Sequence, residues 1–143
     1  MVQDKLKLLD VFVGKWNTEG AIIKTESRPE IKAYGTDTYS WLPGRFFLQH
    51  IVDVNIGNDK IETYEIIGHD KSNDWFTMHY FDNKGDSGFM TATVIDSQWT
   101  FRGENLRFKG GFGENEKTFS GIWEQSVDGK TWTHFMDIKL RRD

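Results

Sequence analysis

Four histidines are the only side chains in these 143 residues that titrate near neutrality, and the chain has no cysteine. Acid–base work, metal ligation or ligand orientation near pH 7 is therefore to be sought at His50, His69, His79 and His134. His134 falls in the row Trp132, His134, Met136, Ile138, Leu140, whose other members are apolar. His50 falls in a similar row, with Phe46, Leu48, Val52, Val54 and Ile56 at two-residue spacing. In either row the ring is a packed core residue with one hydrogen bond, or it orients the polar end of a ligand. His69-Asp70 sits where a strand should end, and there the aspartate is explained as a turn former. His79 and Asp82 have opposite parity on one strand, so their side chains leave opposite faces. Neither pair makes a metal site.

No other motif supplies chemistry. Lys109-Gly110-Gly111-Phe112-Gly113 has the glycines of a phosphate cradle, but no helix follows to offer free amides. Glycines in such a run mark a bulge or bend in a strand. Ser126-Val127-Asp128-Gly129-Lys130-Thr131-Trp132 is one residue short of the Asp-box hairpin of sialidases and occurs once, so it reads as a turn. Ser72 and Ser126 lie in turns with no motif around them, and no pair of carboxylates stands out as an acid/base couple. No catalytic residue is assigned, and the chain reads as a binding protein rather than an enzyme. The absence of cysteine excludes disulfides and thiolate ligands. The net charge of −4 comes from interspersed acids and bases, with no basic stripe for a nucleic acid. Met1-Val2-Gln3-Asp4-Lys5 lacks the basic start and apolar run of a signal peptide, and no segment is long enough to span a membrane. A cytoplasmic protein is expected.

The elements that must position these residues are strands. About ten short alternating runs follow one another, at 15–23, 31–41, 45–56, 60–69, 74–81, 87–95, 98–102, 106–112, 117–125 and 131–141. The connections are mostly a few residues rich in Gly, Asn, Asp or Lys, which suit tight turns. Residues 4–12 are the one expected helix, ended by Gly14, with Leu6, Leu9 and Val13 on an apolar stripe. Evenly spaced short strands without intervening helices predict an all-β fold: one domain over 1–143, an antiparallel up-and-down barrel of about ten strands with a short N-terminal helix.

The run at 74–81 is apolar on both faces, with Phe76, Met78 and Tyr80 on one side and Trp75, His79 and Phe81 on the other. A ten-stranded barrel is wide enough to hold a ligand, so one face is expected to line a cavity. If that is the Phe76 face, parity brings His50, Tyr64, Trp123 and His134 to it as polar-tipped groups for a small, largely apolar ligand. The Trp75 face then needs cover, from the N-terminal helix or from a second copy in a homodimer; with an interior filled by its own side chains, the chain would instead be a non-catalytic dimeric interaction module.

Phe12-Val13-Gly14-Lys15-Trp16 places a Gly and a Trp at the opening of the first strand, after a short helix. This resembles the calycin superfamily of lipocalins, fatty-acid-binding proteins and avidins. The resemblance implies that Trp16 closes one end of the barrel and that a basic residue near the C-terminus, Arg141 or Arg142, packs across its ring. Leu42-Pro43-Gly44-Arg45-Phe46-Phe47-Leu48-Gln49 and Tyr64-Glu65-Ile66-Ile67-Gly68-His69-Asp70 are similar to segments of a bacterial lipocalin-like family of unassigned function. His69 departs from that pattern, where tyrosine is usual. The nitrobindins, another calycin-like group, carry a haem-ligating histidine on the last strand. That resemblance implies the alternative, haem as cofactor with His134 on the iron, although the nitrobindins' glycine-rich opening is not reproduced after Trp16.

Overall fold

In the computed structural model the chain is described over residues 2–143, with side chains from residue 4. It begins with a helical turn, α1 (Val2–Leu6), which runs straight into a 3-10 helix over Lys7–Phe12. Three residues per turn put every third side chain on one line, and Leu6, Leu9 and Phe12 are buried while Leu8 is exposed.

Ten strands follow: β1 (Gly14–Ile22), β2 (Ile31–Trp41), β3 (Leu48–Ile56), β4 (Asp59–Asp70), β5 (Trp75–Asp82), β6 (Ser87–Ile95), β7 (Gln98–Arg102), β8 (Leu106–Phe112), β9 (Thr118–Gln125) and β10 (Thr133–Arg142). Each pairs with its neighbours in sequence, and β10 pairs with β1 to close the barrel. The boundaries follow the turn residues closely. The main departure is at β3, which begins three residues later than the alternation predicts. Gly44 and Arg45 have φ of 92° and 60°, so 42–47 turns as a loop before pairing starts.

Residues 109–112 of the glycine run at 109–113 belong to β8, and Gly113 follows its end. Gly110 faces Gly121 across β8 and β9, and a Cβ on either would come within 2.6 Å of the Phe108 ring. The glycines let that ring lie flat over two backbones, which is a packing role and not a phosphate loop.

One end of the barrel is plugged by the N-terminal segment. The Phe12 ring lies 5.1 Å from Tyr39, 4.9 Å from Trp99, 5.0 Å from Phe112 and 5.2 Å from Phe119. Trp16 is wholly buried beside it, its Nε1 donating to the Phe12 carbonyl at 2.8 Å. Register decides which arginine covers it: Arg142 is the cross-strand partner of Trp16, and its guanidinium stands 4.0 Å from the ring centre. The same fork donates to the carbonyls of Val13 at 2.7 Å and Val11 at 2.6 Å, tying the plug to the barrel. Arg141 has the other parity and extends outward to Glu19 at 3.8 Å.

The helix fills the barrel end and leaves much of the outer face of the sheet uncovered, although Trp75 on that face is half-buried. Tyr64, Phe81 and Phe89 are all exposed there, Phe81 at 58%. Among the described residues, no helix is long and apolar enough to cross a membrane.

Candidate functional site

Beyond the plug the barrel is hollow. A cavity of about 360 Å³ has Leu9, Phe12 and Trp99 at its plugged end and Ile56, Ile61, Leu106 and Met136 towards the other. Met78, Met90, Phe108 and Trp123 form much of the wall between. The volume lies at the lower end of the ~300–1,000 Å³ typical of small-molecule pockets.

One polar cluster interrupts this apolar lining, and strand register builds it. His50 on β3 faces Glu65 on β4, and Tyr39 on β2 faces His50 from the other side. Asp37, two residues before Tyr39, is then diagonal to His50, close enough for a side-chain bond. His50 Nε2 lies 2.6 Å from Asp37 Oδ2, and Nδ1 lies 2.8 Å from Glu65 Oε1. The Thr18 hydroxyl donates to the second oxygen of Asp37. The Tyr39 ring stacks on the imidazole, with centroids 3.9 Å apart and planes 9° from parallel. All five residues line the cavity.

Burial alone would push the imidazole of His50 towards its neutral form. The hydrogen bonds and charges of Asp37 and Glu65 outweigh that and hold its pKa up at about 9. Burial, reinforced by the same carboxylates, pushes the Tyr39 hydroxyl well above its usual value, so at pH 7 it is a neutral phenol.

The residues singled out from sequence are dispersed. His50, Met78 and Trp123 line the cavity. Phe76 is buried in the core against Trp99, with ring centroids 5.9 Å apart. Tyr80 is on the expected side of β5 but does not line the cavity. It lies against its partner Gly88, where a Cβ would come within 2.6 Å of the ring carbon Cζ. Tyr64 is outside the barrel, its hydroxyl donating to Gln49 at 2.7 Å. Its parity is opposite to that of Glu65, which takes the inward position.

His134 is also outside. A β-bulge between His134 and Met136 inserts Phe135 into β10, so the alternation running back from Leu140 through Ile138 and Met136 inverts before it reaches His134. The imidazole is 41% exposed and pairs with Asp137 at 2.7 Å. His134→Ala is therefore expected to change stability by no more than about 0.5 kcal/mol and to leave ligand affinity unchanged, as denaturant melts and dye titration would read.

The sequence reading missed Thr18, Asp37, Tyr39 and Glu65. The signal was present for the two acids, because each sits on an inward row that is otherwise apolar or small. Glu65 shares its row with Ile61, Thr63 and Ile67, and Asp37 shares its row with Ala33, Gly35 and Tyr39.

The match of the whole chain to known proteins is one of fold and family. Rv2717c from M. tuberculosis superposes with a TM-score of 0.67 at 11% sequence identity, covering 97% of each chain, a likeness of fold alone. A de novo designed fluorescence-activating beta barrel aligns at a TM-score of 0.45 and 10% identity, over 94% of this chain and 95% of that one. Among curated proteins none matches by sequence. A family model matches residues 2–142, essentially the whole barrel and its plug, and the chain accordingly belongs to the family described as Protein of unknown function (DUF1579).

Proposed function

We propose that the protein binds a small, largely apolar molecule inside the barrel, with the ligand's polar end at the Asp37–His50–Glu65 cluster. The observation that carries this is the cluster's setting: a hydrogen-bonded charged group on the wall of an otherwise apolar cavity. Pockets that hold and orient small ligands have this make-up. Stability is a poor reason for it, since replacing a buried ion cluster by apolar side chains is commonly neutral or favourable. The Trp16–Arg142 closure supports placing the chain with the calycin-like barrels.

Haem does not fit the donors that line the cavity, where His50 is the histidine present. His134 faces outward, and both ring nitrogens of His50 are engaged by carboxylates, leaving no lone pair for iron. The exposed Tyr64, Phe81 and Phe89 would suit pairing with a second copy, and light scattering reports whether one forms.

Prodan, a neutral dye whose emission moves to the blue in apolar surroundings, tests the cavity reading. One dye per chain, blue-shifted and saturable, is the expected result. Emission that stays at its value in water at all protein concentrations would refute it.

A further inference from the structure

We propose that the polar end of the ligand is a cationic hydrogen-bond donor, an ammonium or guanidinium on a compact apolar body, and not a carboxylate, sulfonate or phosphate. The inference rests on the cavity-binding reading above and adds the chemical class of the ligand.

It follows from counting protons. Two short contacts join Asp37, His50 and Glu65, and each needs one proton between its two heavy atoms. If the ring holds both, an imidazolium stands between two carboxylates and the three groups sum to −1. If one proton sits on a carboxyl instead, the set is a neutral imidazole, one acid and one carboxylate, which again sums to −1. The net charge does not depend on where the protons are. Thr18 adds only a neutral donor to Asp37. No lysine or arginine is among the described residues lining the cavity, so nothing on the wall balances the negative charge. Arg142 is committed to the Trp16 face and to the carbonyls of Val11 and Val13 in the plugged end.

The unused hydrogen-bonding capacity has the matching sign. Glu65 and Tyr39 are both more than nine-tenths buried and both line the cavity. Glu65 bonds His50 through Oε1, and neither its Oε2 nor the Tyr39 hydroxyl bonds any described residue. A carboxylate oxygen accepts only, and a phenol accepts as readily as it donates. Around them Tyr39, Trp99, Phe101, Phe108 and Trp123 line the cavity with aromatic rings, whose faces attract cations. An anionic head would instead bring a second negative charge to a wall whose remaining donors are all neutral. The volume of about 360 Å³ limits the body to a compact molecule, being a dozen waters' worth at ~30 Å³ each.

The test displaces bound Prodan at pH 7 with three eight-carbon chains that differ only at the head: octylamine, octanol and octanoate, each below its micelle-forming concentration. Octylamine is expected to displace at the lowest concentration and octanol next. The amine should bind about tenfold or more tighter than octanoate, which is ~1.4 kcal/mol or more. Glu65→Gln removes the negative charge, so the ratio of amine to carboxylate affinity should fall several-fold whatever happens to affinity overall. Equal displacement by all three, or octanoate binding best, would overturn the inference and leave the cavity reading standing. Failure of Prodan to bind at all would overturn both. If Glu65→Gln does not fold, octylguanidinium against octyl sulfate on the unaltered protein gives a second comparison, and preference for the sulfate would overturn the inference.

Discussion

Trp16→Ala is expected to destabilise the protein by about 3–5 kcal/mol, the range for a large aromatic removed from a packed core. Trp16 has no exposed surface, and three independent contacts depend on its ring: the Phe12 carbonyl, the Phe112 ring and the Arg142 guanidinium. Losing it opens a void between the plug and the barrel that neither neighbour fills. Arg142→Ala tests the other half of the closure. It leaves the carbonyls of Val11 and Val13 without their donor, at a cost of roughly 1–3 kcal/mol. Arg141→Ala should cost far less, because that side chain reaches only an exposed glutamate at 3.8 Å. Urea melts of the three variants check this order. An Arg141 effect equal to that of Arg142 would contradict the register-based assignment.

His50→Leu should cost a similar amount, about 3–5 kcal/mol, for a different reason. Removing the shared donor leaves Asp37 and Glu65 facing each other across an apolar wall with their charges unpaired. The same bond network gives the unaltered protein a pH dependence. The pKa of His50 is raised from 6.5 in the unfolded chain to about 9 in the fold. A raised histidine stabilises fully below its unfolded pKa, and that contribution is lost as pH rises through the folded one. Stability from this group should therefore decline between pH 6.5 and about 9, by roughly 3 kcal/mol at ~1.4 kcal/mol per pKa unit. In a variant carrying His50→Leu, Asp37→Asn and Glu65→Gln together, which leaves no ionisable group in the cluster, that alkaline decline should be gone, and a slope as steep as in the parent would assign it to other groups.

What the sequence made legible was local. Turn residues mark the strand ends because each turn's geometry depends on a few consecutive side chains, and so the ten strands emerge close to their true bounds. The spacing placed Leu6 and Leu9 on the buried face but completed it with Val13, as an α-helix would; along the 3-10 line the third buried residue is Phe12. The site is another matter. The Asp37–His50–Glu65 cluster joins three strands, and only the register between strands decides that Glu65, not Tyr64, stands opposite His50 on the inside. His134 shows the same dependence. Parity from Leu140 carries inward as far as Met136, and one bulged residue then reverses the face. Alternation within a strand is written in the sequence, whereas bulges and cross-strand pairings are set by how two strands meet.

The central claim is that a ligand occupies the interior at the charged cluster, and methionine methyl groups report on that space directly. Met78, Met90 and Met136 all line the cavity. With carbon-13 methyl-labelled methionine, titration with octylamine should move all three resonances along one saturable curve, with one ligand per chain. The His50 ring signals should shift on that same curve. Methyl resonances that stay fixed through the titration, while signals from the exposed Phe81 and Phe89 face move instead, would place the ligand outside the barrel and contradict the account.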